Sequence, residues 1–287
     1  MKLRLVTLNA GLLDILYHKV APAPHVKERL KLLPAQLLSL QPQVVALQEI
    51  YREEDRRFVL SRLQEALPYS AYVRRRPLLG LENSLMVCSA MPLEYRFERF
   101  KSGTIDERLL GQYGFIVCRI RARDGGIWSL LNVHTTAGGL WRHPESPPVD
   151  LIRSRQIRQL LGAAEAEPGI SIISGDLNAG PRVSEANFCQ VEEAGFASVH
   201  DLLHGRDSGS TWDPLNPLNR DGPHKLCPPQ RIDHVFVRSR DLAAHRIVPL
   251  SSTICFLDPI VPVGSGYVTI SDHYGLSVEF ELNPTAH

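Results

Sequence analysis

Residues 170–179 read ISIISGDLNA, an apolar run that leads directly into an acid, a leucine and an amide. The length and composition of 170–173 predict a buried β-strand. Gly175, Asp176 and Asn178 all accept turn geometry, so one interpretation is that the strand ends in a simple turn. The other is a functional site, because Asp176 and Asn178 are two residues apart and point to the same side of an extended chain. Other parts of the sequence decide between the two.

The composition is that of an ordinary globular protein. Hydrophobic residues make up 44% and charged residues 22% of the 287 residues, which is enough for a sizeable core, and we predict a single domain over 1–287. The 32 basic and 31 acidic residues leave a formal net charge of +1. This balance weighs against a module that is held to nucleic acid by charge alone.

The cysteines and the N-terminus bear on the cellular compartment. The five cysteines show no CxxC spacing and are odd in number, which favours free thiols in a reducing compartment. The N-terminus, MKLRLVTLNAGLLD, lacks the features of a signal peptide. No window approaches the roughly 18 uninterrupted apolar residues of a transmembrane helix. We therefore expect a cytoplasmic protein or one that binds a membrane peripherally.

Short apolar or alternating runs predict a series of β-strands at 3–8, 44–47, 84–89, 114–121, 127–133, 170–173, 232–237 and 276–282. The last is the clearest, since Leu276, Val278 and Phe280 alternate with polar residues, as in a strand with one buried face. Helical periodicity covers 26–40, 53–67 and 150–166, with Pro34 as a kink or restart and Asp150 as an N-cap. This mixture predicts an α/β fold with substantial antiparallel pairing.

Polar groups recur where these apolar runs end. They stand in the segments LNAG (8–11), LQE (47–49), NVH (132–134), SGDLN (174–178) and IDH (232–234), and SDH (271–273) precedes the last strand. Taken singly, each is compatible with a turn amide, a helix cap, a buried structural histidine or a solvated loop. Taken together, they indicate one site.

The residue types in these segments suit a hard cation. Mg²⁺ binds carboxylate and amide oxygens and needs only one or two protein carboxylates, because it keeps several waters. The paired cysteines or closely spaced histidines expected of zinc are absent from the sequence. Two histidines and several acids are left to transfer protons, which fits metal-assisted hydrolysis of a phosphate ester. No GxxxxGK[ST] loop is present, which weighs against an NTPase.

The ordered set TLNAG, LQEI, NVHT, SGDLNAGP, RIDHVF and SDHYGL resembles the endonuclease/exonuclease/phosphatase superfamily. Within it, NVHT, the segment TWDP (211–214) and the SDHY ending are most similar to the magnesium-dependent neutral sphingomyelinases. The inositol polyphosphate 5-phosphatases are less similar, because their PAWCDR-type segment is missing around Asp233. The resemblance implies two mixed β-sheets packed face to face as a four-layer sandwich flanked by helices, with the site at one end.

The resemblance also implies a metal and a substrate site. Glu49 would ligate Mg²⁺, for which Mn²⁺ can substitute, and Asn9 and Asp272 would assist directly or through water. The substrate contacts that it implies are Trp212, Asn83 and Trp141.

The resemblance assigns catalytic roles by position. Asp176 would orient or deprotonate the attacking water, and Asn178 would bind a phosphate oxygen. His134 would meet the charge that builds on the phosphoryl group or protonate the leaving oxygen. His273, oriented by Asp233, would contact a non-bridging oxygen or serve as the base. Whether the base is the acid or the imidazole stays open at this point.

The predicted activity is a Mg²⁺-dependent phosphodiester hydrolase that acts on a sphingomyelin-like phospholipid at a membrane surface, with no obligate protein partner evident. One alternative is a nuclease for DNA or RNA, in which the arginines at 74–76 and at 153, 155 and 158 follow a phosphate backbone. A second alternative is a non-catalytic lipid- or partner-binding module on the same fold. The intact Glu49, Asp176 and His273 argue against that module.

The stretch 252–270, STICFLDPIVPVGSGYVTI, is rich in apolar residues and in breakers. The prolines and glycines within it favour a loop or hairpin with an apolar tip. Apolar side chains at the rim of a lipid hydrolase can enter the membrane interface, and the sphingomyelinase resemblance places a membrane-touching hairpin here. The alternative is that these residues pack inside, as part of the second sheet.

Overall fold

Two six-stranded mixed β-sheets form the centre of the computed structural model, which describes residues 1–14, 23–74, 83–110, 113–122, 125–139, 142–222 and 224–283. The first sheet has the spatial order β11 (Ile247–Cys255), β14 (Gly275–Leu282), β1 (Lys2–Asn9), β2 (Val44–Gln48), β4 (Met86–Ser89) and β3 (Tyr69–Tyr72). The second has the order β5 (Leu93–Arg99), β6 (Gly114–Arg121), β7 (Ile127–His134), β8 (Ile170–Asp176), β10 (Asp233–Arg238) and β9 (Phe196–Ser198). A separate hairpin consists of β12 (Val261–Val263) and β13 (Gly266–Val268).

Helices connect these strands. They are α1 (Val26–Ser39), α2 (Glu53–Leu63), α3 (Ile105–Leu110), α4 (Pro147–Ala166), α5 (Glu185–Glu193), α6 (Val199–His204) and α7 (Ser239–Ala243). Among the residues that the structure describes, no helix combines the length and the apolarity needed to cross a membrane.

Adjacent residues of one strand belong to different layers of the core. Leu5 of β1 and Ile116 of β6 lie in the cluster between the two sheets. Their neighbours point outward: Val6 packs in a cluster with α1 and α2, and Val117 packs in a cluster with α4 and α5. Because side chains alternate along a strand, both faces of each sheet are covered. The predicted four-layer α/β sandwich is confirmed.

Several element boundaries differ from the sequence-based expectation. The predicted N-cap at Asp150 is wrong: α4 begins at Pro147, because proline is tolerated in a first helical turn where no N–H bond is lost. Asp150 instead lies within that turn and accepts a hydrogen bond from Arg153 Nη1 at 2.6 Å. Helix α1 runs through Pro34 without a restart, and α2 ends at Leu63.

The sheet topology gathers the polar strand ends at one edge of the sandwich. Strands β1 and β2 are parallel, as are β7 and β8, so their carboxyl ends lie side by side. Strand β14 is antiparallel to β1, and β10 is antiparallel to β8, so these strands bring their amino ends to the same edge. The register pairs Asp176 with both His134 and Asp233.

Two buried amides join the sheets beneath this edge. Gln48 Nε2 donates to Asn132 Oδ1 at 2.7 Å, across the space between β2 and β7. Asn132 Nδ2 donates to the carbonyls of Leu47 and Met86 at 3.0 Å each. Since a buried amide is costly without partners, these bonds fix the relative position of the two sheets next to the site.

Candidate active site

Strand ends position the side chains that the sequence predicted. Asn9, His134 and Asp176 are the last residues of their strands, Glu49 comes directly after β2, and Asp233 begins β10. Asp272 and His273 stand just before β14, separated from it by Tyr274, and all these groups lie at the same edge. Asp176, at the end of β8, therefore belongs to this polar group and is not merely part of a turn.

The carboxylate of Asp176 is the centre of this group. Its Oδ2 accepts a hydrogen bond from Asn9 Nδ2 at 2.9 Å and lies 3.5 Å from His134 Nε2. The same oxygen is 4.0 Å from His273 Nε2. Its Oδ1 accepts the backbone N–H of Asn178 at 2.8 Å. Asp176 is almost fully buried, so these contacts fix its orientation.

His273 forms a buried pair with Asp233. Its Nδ1 lies 2.9 Å from Asp233 Oδ2, which leaves Nε2 directed toward Asp176. Burial alone would lower the pKa of His273, but the charges of Asp233 and Asp176 outweigh burial and hold it well above its usual range. Thr211 Oγ1 accepts the N–H groups of Ile232 and Asp233 and so fixes the start of β10.

Glu49 and Asp272 supply the oxygen ligands that a hard cation would use. Burial and the negative charge of Asp272 both raise the pKa of Glu49, so the two carboxylates are costly together without a cation. Gly11 leaves room for the carboxylate of Asp272: a Cβ there would lie 1.9 Å from Asp272 Oδ1, and the φ of Gly11, +56°, is left-handed. Glu49 itself has a φ of +58°, which is unusual outside glycine. Both carboxylates line one cavity, and their oxygens are ligands of the kind that Mg²⁺ prefers.

The amide of Asn9 has a defined orientation. Its Oδ1 accepts the N–H of Gly11 at 3.0 Å, so Nδ2 faces the carboxylates and donates to Glu49 Oε1 at 3.1 Å as well as to Asp176. In this arrangement Asn9 positions Glu49 and Asp176. Its predicted part in metal binding stays a prediction.

The predicted substrate residues lie in different surroundings. Trp212 lines the cavity above the site and is held by backbone pairing to Gln230 and His273. Asn83 is buried, is not among the described residues that line the cavity, and uses Oδ1 to accept the N–H of Leu85. Trp141 lies outside the residues that the structure describes. Asn178 lines the cavity with a φ of +46°, and its Nδ2 donates to Thr135 O at 3.0 Å.

The cavity has a volume of about 200 Å³ and also contains groups that the sequence did not indicate. Tyr51 and Tyr113 line it, and their hydroxyl oxygens are 3.1 Å apart. The ring of Tyr113 lies 5.1 Å from that of His134, between centroids. Tyr51 stands two residues after Glu49, which is only a weak indication that it belongs to the site. Nothing in the sequence around Tyr113 indicates that this residue belongs to it.

Buried arginines shape the loops around the cavity. The guanidinium of Arg29 donates to the carbonyls of Ala10, Gly11 and Ile270, and so ties α1 to the loops that carry Asp272 and the end of β1. Arg153 is fully buried and donates to Thr136 O and Pro144 O. The suggestion that Arg153 follows a nucleic-acid backbone is therefore wrong, because its side chain does not reach the surface.

His234 is a structural residue beside the site. Its Nε2 lies 2.9 Å from Ala179 O, which fixes the segment after Asn178, and its ring packs on Phe188 and Phe236. Burial, with a smaller effect from Arg231, lowers the pKa of His234 to about 3. The ring is therefore neutral in the folded state throughout the pH range in which an unfolded histidine takes up a proton.

This difference predicts acid sensitivity. The unfolded chain binds a proton at His234 below pH ~6.5 and the folded chain does not, so stability falls as pH decreases toward 3. From pH 7 to 5 this group should remove about 2 kcal/mol from the free energy of unfolding. His234→Gln keeps a donor for Ala179 O but has no group that titrates. Urea unfolding at pH 7 and at pH 5 should therefore show a free energy of unfolding that decreases less between the two pH values than in the wild type. If the decrease between pH 7 and pH 5 is the same in His234→Gln as in the wild type, His234 is not its cause.

The sequence of this chain matches the family model of the Endonuclease/Exonuclease/phosphatase family over residues 6–273. The chain belongs to this family. The members of the family are phosphoric ester hydrolases, and the residues matched include the whole polar edge from Asn9 to His273. No curated protein matches the chain.

Solved structures of this family share the fold over nearly the whole chain. Sphingomyelinase C from Streptomyces griseocarneus is 18% identical, with a TM-score of 0.76 over 97% of this chain and 99% of that chain. TDP2 from D. rerio, complexed with a single-strand DNA product, is 19% identical, with a TM-score of 0.73 over 98% and 99%. Beta toxin from Staphylococcus aureus, with bound magnesium ions, is 19% identical, with a TM-score of 0.70 over 97% and 99%. At these identities the similarity shows the fold alone.

Proposed function

We propose that this protein is a Mg²⁺-dependent phosphodiester hydrolase. The observation that carries the proposal is the convergence of Glu49, His134, Asp176 and His273 on one cavity, with Asp176 Oδ2 within 4.0 Å of both imidazoles. A non-catalytic module has no need to bury carboxylates against one another at a cavity wall. The bound magnesium of the Staphylococcus aureus neighbour supports the choice of ion.

Glu49 and Asp272 would hold the ion, with Asn9 orienting Glu49. When bound, Mg²⁺ neutralises charge on the phosphate oxygens and favours ionisation of water. Asp176 is the group best placed to accept the proton of the attacking water, because its Oδ2 faces the shared centre.

The two histidines complete the reaction. His273, whose Nδ1 is paired with Asp233, donates from Nε2 to a phosphate oxygen. His134 lies on the other side of Asp176 and protonates the leaving oxygen.

We further propose that the substrate is a phospholipid with a sphingomyelin-like head group. The hairpin β12–β13 presents Tyr267 to solvent with 63% of its surface exposed, and Leu257 just before it is 52% exposed. Val261 and Val268 are buried and anchor the hairpin. Apolar side chains of this kind can enter the interface of a bilayer, and the hairpin continues within a few residues into Asp272.

Phe256 and Ile260 are less suited to that contact than the sequence suggested. Both are half-buried and pack against the cluster beneath α1 and α2. Substitution of either would therefore affect stability as well as a membrane contact.

A nuclease is the second candidate, because TDP2 with its single-strand DNA product has the same fold. Arg155 and Arg158 are exposed on α4 and could contact a phosphate backbone, whereas Arg153 is buried. The formal net charge of +1 gives little general attraction for nucleic acid, so we place the lipid first.

A substrate panel at fixed Mg²⁺ tests the proposal. Sphingomyelin and lysophospholipid dispersions, plasmid DNA, RNA, inositol phosphates and a short soluble phosphodiester are compared with and without chelator. We expect the choline-type lipids to be cleaved fastest and all turnover to stop with chelator. The double variant Leu257→Ser with Tyr267→Ser should no longer sediment with liposomes or hydrolyse the lipid, but it should still cleave the soluble ester. Rapid plasmid nicking without lipid turnover would establish the nuclease instead.

A further inference from the structure

A second group of metal ligands lies on the wall of the same cavity. Three ligand atoms, one each from His143, His224 and Cys227, lie within 4.8 Å of one another. His224 and Cys227 line the cavity, whereas His143 is exposed beside it. The sequence did not indicate this group, because His143 is distant along the chain from His224 and Cys227 and meets them only in the folded protein.

Local structure brings the three residues together. Cys227 N–H donates to His224 O at 2.9 Å, so the HxxC segment forms a turn with both side chains on the cavity side. His143 lies in the turn before α4, where Ser146 N–H donates to His143 O. Gln230 Nε2 donates to Glu145 Oε1 at 3.4 Å and links the two loops. The rings of His143 and His224 are perpendicular, with centroids 6.1 Å apart.

The group is chemically ready for a cation. The Nδ1 of His224 is buried and has no hydrogen-bond partner among the described residues. Cys227 is a free, half-buried thiol. Two imidazoles and a thiolate select zinc over magnesium, since they are softer ligands than carboxylates.

We propose that His143, His224 and Cys227 bind Zn²⁺ on the cavity wall, separately from the magnesium ligands, and that the bound ion obstructs the substrate. A tetrahedral zinc centre places N and S ligands about 3.3–3.6 Å apart. The three ligand atoms already lie within 4.8 Å of one another, so a small approach of the two loops completes the centre. Binding releases the thiol proton of Cys227 to solvent and leaves the fourth position to water. The inhibitory part of this inference rests on the proposed hydrolase function, whereas the binding part does not.

Binding is tested on the full chain with saturating Mg²⁺. Co²⁺, as a spectroscopic probe for Zn²⁺, should give a near-ultraviolet charge-transfer band that only a thiolate ligand produces. Cys227→Ser should abolish the band. In titration calorimetry its affinity for Zn²⁺ should be at least ~10²-fold lower than that of the wild type, because loss of a residue that only hydrogen-bonds to a metal ligand already lowers metal affinity about 10–100-fold. His143→Ala should lower the affinity for Zn²⁺ as well. The matched control, Cys189→Ser, changes a free thiol on α5 and should bind as wild type.

Inhibition is measured as a fraction of each variant's own rate in excess Mg²⁺. Zinc should inhibit the wild type and Cys189→Ser, and Cys227→Ser should resist it. Inhibition that is equal in Cys227→Ser would place zinc at the magnesium ligands and overturn the regulatory role. Absence of the cobalt–thiolate band in the wild type would overturn the site itself. A band without hydrolysis of any ester would keep the site and overturn the proposed function.

Discussion

Asp176→Asn is expected to lower kcat for a phosphodiester by at least ~10³-fold with little change in KM, because it removes the group that we propose as the acceptor of the water proton. The asparagine is isosteric, but one of its amide hydrogens would face either Asn9 Nδ2 or the N–H of Asn178, where Asp176 presents oxygens. One of these two hydrogen bonds is therefore lost together with the base. Turnover is measured with the preferred ester at saturating Mg²⁺.

Two measurements keep this result interpretable. The thermal unfolding midpoint of Asp176→Asn should stay within a few degrees of wild type, since the fold does not depend on this charge. Asp207→Asn is the matched control, because Asp207 is 76% exposed and pairs only with Arg182 in the described ion pairs. A kcat for Asp176→Asn within about tenfold of wild type would remove Asp176 from the reaction.

Glu49→Gln is expected to abolish measurable activity at millimolar Mg²⁺ and to recover a part of it only at much higher Mg²⁺ or Mn²⁺. The reason is that glutamine keeps the hydrogen bond from Asn9 Nδ2 but supplies no charge to the cation. Loss of the charge also relieves the repulsion by Asp272, so stability without metal should be equal to or greater than that of wild type.

The measurements are the Mg²⁺ dependence of the rate and unfolding in the presence of chelator. Glu193→Gln, a change of an exposed glutamate on α5, is the control and should track the wild-type curve. If Glu49→Gln requires no more Mg²⁺ than wild type, the metal lies elsewhere.

Much of the fold and of the polar edge could be predicted from the sequence. Alternation in 276–282 and the apolar run at 170–173 identified strands correctly, and β8 was only longer than expected, because Ser174 and Asp176 continue the ladder with β10. Polar residues at strand ends could be recognised as one site because parallel strands bring their carboxyl ends to one edge of a sheet.

Features that depend on three-dimensional contacts could not be predicted. Arg29 and Arg153 look like surface residues in the sequence, yet each is buried and donates to carbonyl groups of the loops that fold over it. The orientation of Asn9 depends on the N–H of Gly11. Short strands such as β9 and β12 carry too few residues for a periodic signal, so they form only where neighbouring elements support them.

The amide link between Gln48 and Asn132 has a consequence for how activity arises during folding. One sheet carries Asn9, Glu49 and His273, and the other carries His134 and Asp176, so neither half contains a working set. Enzymatic turnover is therefore a reporter of sheet docking. A refolding chain can regain its strands early, but it will show no hydrolysis until the two sheets have docked and the hydrogen bonds between them have formed. For the same reason, substitutions in the core between the sheets should change the rate of turnover, because they shift the site residues of one sheet relative to those of the other, even where no altered atom approaches the substrate.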